Sequence, residues 1–151
     1  MIHCIKTDSN HEHFRQLAAE LEADLKMRDG DDHLFNFNLN KIDYLQHVLI
    51  AYDGQLPVGC GAIRPYSVTA IEIKRMFTIP EKRGIGIASF ILKNLEEWAR
   101  QLHYKICVLE TGLNQPEAIS FYQKNNYTHI PNFGPYQGSA NSTCFEKQLV
   151  P

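Results

Sequence analysis

Apolar and polar positions change period along the chain, and each change marks an element. Residues 1–7 alternate, which predicts a short strand. Ser9 followed by Glu12 has the spacing of a capping box, and Phe14, Leu17, Ala18, Leu21 and Leu25 then recur every three or four residues. That predicts a helix running to about Met27 and ended by "RDGDD". Residues 30–41 are polar and aromatic without a period, which reads as an irregular loop, and "KIDYLQ" can add a helical turn. "HVLIAYD" and "LPVGCGAIRP" flank Gly54 as a strand–turn–strand hairpin, and "VTAIEIKRMFTI" is a third strand stopped by Pro80. Helical spacing returns at Ala88, Ile91, Leu92, Leu95, Trp98, Ala99 and Leu102, predicting a helix over about 84–102. "KICVLET" is a buried strand, and "NQPEAISFYQKNN" is a helix with Pro116 in its first turn and Asn125 or Asn126 as a left-handed C-cap. "YTHIP" is a strand, "NFGPYQGSANS" a long loop and "TCFEKQLV" the last strand.

The order is β-α-β-β-β-α-β-α-β-β, an α/β fold on a mixed sheet. The strand–helix–strand unit from Val68 to Thr111 predicts one parallel pair. At 151 residues, with no repeat, linker or low-complexity tract, the chain reads as a single domain over 1–151. Such a domain buries roughly 70% of its unfolded surface and needs no staple.

Composition narrows the classes. Fifteen Lys+Arg stand against 17 Asp+Glu, for a net charge of −2 with the signs interspersed. A nucleic-acid binder would show a basic stripe, so none is expected as a partner. The longest apolar run, about Val48–Tyr52, is far short of a membrane span, and the first residues carry no secretion pattern. Cys4, Cys60, Cys107 and Cys144 are far apart without metal-like spacing, which suggests reduced thiols and a cytoplasmic chain. His11 and His13 flank Glu12, and residues two apart on a helix point to nearly opposite sides, so no metal is expected there.

The chemistry concentrates in "KRGIGIAS", residues 82–89. A helix start offers unpaired N–H groups and a partial positive charge, glycines let a bulky anion approach the backbone, and Arg83 adds a cation. A pyrophosphate is the natural guest. A P-loop is excluded because no Gly-Lys-Ser/Thr follows. A dinucleotide fingerprint keeps Gly84, Gly86 and an acid at Glu110, but its third glycine is Ser89. Residues 80–83 also separate strand from loop, and no room remains for a second half. A dinucleotide-dependent oxidoreductase is therefore a remote alternative.

"MFTIPEKRGIGIASFIL" resembles the acetyl-CoA loop of the GNAT superfamily of N-acetyltransferases, whose pattern is Gln/Arg-x-x-Gly-x-Gly/Ala. Arg83, Gly86 and Ala88 satisfy it; in the register starting at Glu81 only Gly84 and Gly86 match. "QPEAISFYQKNNY" is similar to the family's second motif, Asn-x-x-Ala-x-x-Leu-Tyr-x-x-x-Gly-Phe. Ala118 and Tyr122 match, Phe121 stands for Leu, Asn126 for Gly and Tyr127 for Phe, while Gln115 replaces the Asn.

The resemblance implies acetyl transfer from acetyl-CoA to a small-molecule or peptide amine by direct attack, with no acyl-enzyme and no metal. It implies pyrophosphate binding by Arg83, Gly84, Ile85, Gly86, Ile87, Ala88 and Ser89, and a cofactor contact from Gln115. It places the pantetheine arm against the backbone of Met76, Phe77 and Thr78, one of whose N–H groups would stabilise the oxyanion. Glu72 stands where histone-acetyltransferase-like members keep a general base, working through a water; the alternative is an ion pair with Lys74. Tyr122 matches the general acid for the leaving thiolate; the alternative is ring packing. A homodimer is common in such a family, though no interface is legible here. Retention of Glu72 and Tyr122 disfavours a non-catalytic acyl-CoA sensor on the same fold.

Acceptor specificity is expected in residues 28–41 and 132–142, with Phe133 and Tyr136 as pocket walls and Asp29, Asp31 and Asp32 as a solvated loop or an attractor for a cation. Gly59 and Gly61 suggest a bulge or a close backbone approach.

Overall fold

The computed structural model describes residues 1–29 and 44–150. Seven strands and three helices follow in the predicted order among these residues. They are β1 (Ile2–Thr7), α1 (Glu12–Asp29), β2 (His47–Asp53), β3 (Leu56–Pro65), β4 (Ala70–Thr78), α2 (Ile87–Gln101), β5 (Ile106–Gly112), α3 (Pro116–Lys124), β6 (Thr128–Ile130) and β7 (Ser142–Gln148). One sheet contains all the strands in the order β1-β2-β3-β4-β5-β7-β6. All neighbours are antiparallel except β4 and β5, the pair predicted to be parallel.

Both α1 and α2 pack on β2, β3 and β4. These strands are accordingly near-continuous buried runs instead of alternating ones. Phe14, Leu17 and Leu21 anchor α1, while Ile87, Ile91, Leu92, Leu95 and Ala99 anchor α2. Gly59 and Gly61 are where α2 comes closest. A Cβ on Gly61 would lie 2.6 Å from Met76 Sδ and 2.8 Å from Leu95, and one on Gly59 would lie 2.9 Å from Ile91. The bulge expected beside them lies across the ladder. Cys60 faces Phe77 and Ala62 faces Lys74, so β4 spends one residue more than β3. Arg75 sits at that bulge with φ 57°.

Three local expectations change. Ser9 does not cap α1: its Oγ accepts from Leu45 N–H at 2.8 Å and its own N–H donates to the Leu45 carbonyl at 2.9 Å. The helix start falls to His11, whose Nδ1 accepts from His13 N–H at 3.1 Å. With His11 outside the helix proper, its ring lies 5.2 Å from that of His13, not on an opposite side, and His13 Nδ1 meets the Tyr52 hydroxyl at 2.7 Å. Third, α2 begins at Ile87, not 84, because Gly84 (φ 83°) and Gly86 (φ 90°) are left-handed and Pro80–Lys82 forms a separate 3-10 turn. Asn125 is the C-cap of α3, and Asn126, one residue on, takes the left-handed conformation at φ 73°. The loop read over 30–41 lies outside the described residues, as do residues 41–43 of "KIDYLQ"; its last three residues are not helical.

Candidate active site

β4 and β5 pair through three residues only, Ala70 with Ile106, Ile71 with Cys107 and Glu72 with Val108. Both strands continue, β4 to Thr78 and β5 to Gly112, and the bulge at Arg75 falls just past the last pair. A sheet that opens in this way leaves backbone groups without a strand partner, and a cleft forms between the diverging ends. Two connected parts make up this cleft. They share Leu21 of α1, Met76 of β4, and Gln115, Ala118 and Tyr122 at α3.

The outer part has a volume of about 410 Å³. It is lined by Met76, Phe77 and Thr78 on one side and by Arg83, Gly84, Gly86, Ile87, Ala88 and Ser89 at the start of α2. No side chain caps α2, and its first turn closes with Phe90 N–H on the Gly86 carbonyl. The N–H groups of Ile87, Ala88 and Ser89 therefore stand at the open helix end, the end that attracts anions. No heavy atom of the chain lies within 4 Å of a Cβ built on Gly84 or Gly86, so the positive φ, not crowding, demands glycine there. Arg83 Nε donates to the Thr78 carbonyl at 2.9 Å, and its guanidinium lies 5.5 Å from the Phe77 ring centre, tying the loop to the end of β4. Lys82 pairs with Asp53 at 3.0 Å. Arg28 of α1 pairs with Asp24 and with Glu117 of α3, both of which line the mouth. Ile85 does not line the cleft and is exposed.

The inner part, about 110 Å³, is walled by side chains from separated segments: Glu72 and Lys74 of β4, Glu110 of β5, Tyr122 of α3 and Tyr136 from the loop before β7. Glu72 is 4% exposed. Its Oε2 accepts from the Tyr136 hydroxyl at 2.8 Å and from Lys74 Nζ at 3.4 Å, and Lys74 Nζ also donates to the Tyr136 hydroxyl at 2.9 Å. The ion pair weighed for Glu72 is thus present, and both of these contacts fall on one carboxylate oxygen. Burial pushes the Lys74 ammonium below the ordinary lysine value, and Glu72 partly offsets this. Burial, with Glu72 next, pushes the Tyr136 hydroxyl well up, so it stays a donor. Glu110 Oε2 accepts from Ser142 Oγ at 2.7 Å.

Tyr122 stands at the junction of the two parts. Its ring meets Phe121 and Tyr127 edge-on, at 5.1 and 5.7 Å. Burial raises its hydroxyl well above the usual phenol range, with Glu110 adding to the effect. The fit of a CoA-type ligand rests on the uncapped helix end and the strand edge: donors for a pyrophosphate, followed by an unpaired β4 edge for an extended amide-bearing arm.

The family model of the acetyltransferase (GNAT) family matches residues 11–127. The chain belongs to the GNAT acetyltransferase family. It is 36% identical over 102 residues to the IAA acetyltransferase of Azospirillum brasilense, covering 67% of each chain. It is 33% identical over 85 residues to the N-acetyltransferase YjgM of Escherichia coli, covering 54% of this chain and 50% of that one. A Klebsiella pneumoniae crystal structure assigned as an acyl-CoA N-acyltransferase superposes with TM-score 0.82 at 29% identity, covering 99% of both chains. An Elizabethkingia anophelis GNAT acetyltransferase with acetyl-CoA bound shares the fold at TM-score 0.70 and 17% identity, over 98% of both chains. GNAT members use acetyl-CoA for acyl transfer, and this chain is an N-acetyltransferase by family.

Of the residues named from the sequence as cofactor contacts, all but Ile85 line the outer part of the cleft. Sequence reasoning missed the contribution of α1: Leu21, Asp24, Leu25 and Arg28 line the cleft but read as one helix among others. The sequence offers the Glu72–Lys74 pair and Tyr136 as a pocket wall, but carries no signal that Tyr136 joins Lys74 on Glu72.

Proposed function

We propose that the chain acetylates a primary amine of a small molecule or peptide by direct attack within a ternary complex, with Glu72 as general base and Tyr122 as general acid. One observation carries the reading: Glu72, Tyr122 and the open end of α2 border one continuous cleft, with Tyr122 where its two parts meet.

Bound acetyl-CoA would supply the thioester, with the acetyl group passing to the amine and the CoA sulfur leaving. The chain's own groups hold, orient and move protons. The N–H groups of Ile87, Ala88 and Ser89, with the backbone of Arg83 to Gly86, hold the pyrophosphate. Gln115 replaces the family's Asn and lines both parts of the cleft, so it contacts the arm. The free β4 edge at Met76, Phe77 and Thr78 aligns the arm, and one of its N–H groups faces the developing oxyanion.

An alkyl ammonium titrates near 10.4, so at neutral pH the amine must shed a proton before attack. Glu72 takes it, through a water, on Oε1, the oxygen with no partner among the described residues. Tyr122 donates its phenolic proton to the leaving sulfur and recovers, through solvent, the second proton that the nitrogen sheds as the C–S bond breaks; the proton on Glu72 then passes to solvent. The raised Tyr122 hydroxyl keeps its proton in place until the sulfur demands it.

The test is a thermal-shift titration with acetyl-CoA and NADH in parallel, followed by CoA release over primary amines: spermidine, glycinamide, kanamycin and a short peptide with a free N-terminus. Ligand at 100 times its dissociation constant adds about 2.7 kcal/mol, on the order of 5–10 °C for a domain this size. A shift with acetyl-CoA and turnover of at least one amine supports the reading. A shift with NADH alone removes it.

A further inference from the structure

The loop between β6 and β7 is built to hold one tyrosine. Asn132 Nδ2 lies 3.2 Å from each of the carbonyl oxygens of Tyr136, Ser139 and Ser142, so one amide gathers three turns of backbone. Ser139 and Ser142 hydroxyls meet at 2.9 Å, and Ser142 continues to Glu110 on β5. Phe133 packs edge-on against Tyr136 at 5.4 Å and against Tyr66 at 4.9 Å. Tyr136 itself is 1% exposed, and its hydroxyl emerges at the cleft wall, where it donates to Glu72 Oε2.

We propose that Tyr136 is a positioning residue, whose hydroxyl, together with Lys74, locks one oxygen of the Glu72 carboxylate and leaves the other for the acceptor amine. The proposal rests on Glu72 as the base. The oxygen Oε2, the Tyr136 hydroxyl and Lys74 Nζ form a closed triangle with sides of 2.8, 2.9 and 3.4 Å. A carboxylate turning about its last bond would have to break two charge-assisted contacts at once. A base must stand within hydrogen-bond reach of its proton in a fixed geometry, so an unlocked carboxylate loses rate without losing cofactor affinity. The sequence distance between Glu72 and Tyr136 makes the lock a product of the fold: "NFGPY" shows no chemistry in isolation.

The experiment is a double-mutant cycle on kcat, with the amine giving most turnover in the screen above. The chains are wild type, Tyr136→Phe, Glu72→Gln and the double variant, with Asn132→Ala as a second way to release the tyrosine. Tyr136→Phe keeps the ring and is expected to lower kcat roughly ten- to a hundredfold, with the acetyl-CoA KM unchanged. In the Glu72→Gln background the same change is expected to cost nothing further, since its target is gone. Asn132→Ala should follow the same pattern. An equal loss in both backgrounds overturns the proposal in favour of a purely structural tyrosine, as does wild-type turnover in Tyr136→Phe while Glu72→Gln is impaired. Wild-type turnover in Glu72→Gln removes the base reading, and this proposal with it.

Discussion

The two parts of the cleft are made of different material. The outer part is main chain: an uncapped helix end, two left-handed glycines and a strand edge released from its neighbour. The inner part is side chain: a buried carboxylate, a buried ammonium and two tyrosine hydroxyls brought from β4, α3 and the loop before β7. The contrast suits the role proposed for each. A pyrophosphate is the same in every reaction of the family, and backbone N–H groups need only correct torsions to bind it. An acceptor amine must be told from others and deprotonated, which takes specific groups at set distances. Changes in the inner part should therefore alter kcat and leave acetyl-CoA affinity alone, while changes in the outer part should do the reverse.

The largest expected effect is at Glu72. Glu72→Gln keeps the size of the side chain and removes the proposed base, and kcat should fall by at least about a hundredfold, with the acetyl-CoA dissociation constant measured by calorimetry unchanged. Tyr122→Phe comes next. It keeps the ring contacts with Phe121 and Tyr127 and should lower kcat roughly ten- to a hundredfold, with a melting midpoint like that of the wild type. If the midpoint falls and kcat does not, the tyrosine is packing and the comparison breaks at the junction.

Gly86→Ala probes the outer part. A left-handed alanine costs roughly 1–2 kcal/mol, so acetyl-CoA should bind about tenfold more weakly or the loop should reshape. The KM of the amine should not change.

A buried ion-paired group outside the cleft sharpens the comparison further. Glu96 of α2, 3% exposed, accepts from the Tyr127 hydroxyl at 2.8 Å and pairs with Lys147 of β7 at 3.0 Å. Glu96→Gln should destabilise the fold by about 1–3 kcal/mol in urea unfolding and leave kcat within about twofold of wild type. A large kcat loss would mean that rigidity behind α2 matters as much as the groups in the cleft.

The smallest effect concerns the thiols. Burial pushes Cys60 and Cys107 up to about 12 and Cys144 up to about 11. An acid whose folded value is raised contributes stability below its unfolded value, near 8.5–9, that is lost as pH climbs toward the folded value. Unfolding midpoints should drift downward from about pH 9. A thiol reagent at pH 8 should label half-buried Cys4 before the other three. Rapid labelling of Cys60, whose Sγ donates to the Arg75 carbonyl at 3.3 Å, would show that the bulge opens.

The same contrast explains what could be read from the chain beforehand. Periodicity carried the element order and the parallel β4–β5 pair, since both follow from local spacing and handedness. The outer cleft was legible because main-chain chemistry is local: residues 82–89 hold the glycines, the helix start and the arginine together. The exceptions have local causes. The helix start moved from 84 to 87 because positive φ at Gly84 and Gly86 cannot continue a helix, and Ser9 gave its hydrogen bonds to Leu45, thirty-six residues on, in preference to the helix. The inner cleft was not legible as a unit. Glu72 and Tyr122 entered through motif position, but the bonds among Glu72, Lys74 and Tyr136 span up to sixty-four residues and follow from register and loop geometry that no period encodes. The lining from α1 was missed because Leu21 and Leu25 look the same whether they meet a core or a cleft.

The most direct measurement is calorimetric titration of acetyl-CoA into wild type, Gly86→Ala and Glu72→Gln side by side. The account predicts that Gly86→Ala weakens binding about tenfold and that Glu72→Gln binds like the wild type while failing to turn over. Undiminished binding by Gly86→Ala together with a collapse of binding in Glu72→Gln would contradict it, placing the cofactor on the side chains of the inner cleft instead of the main chain at the start of α2.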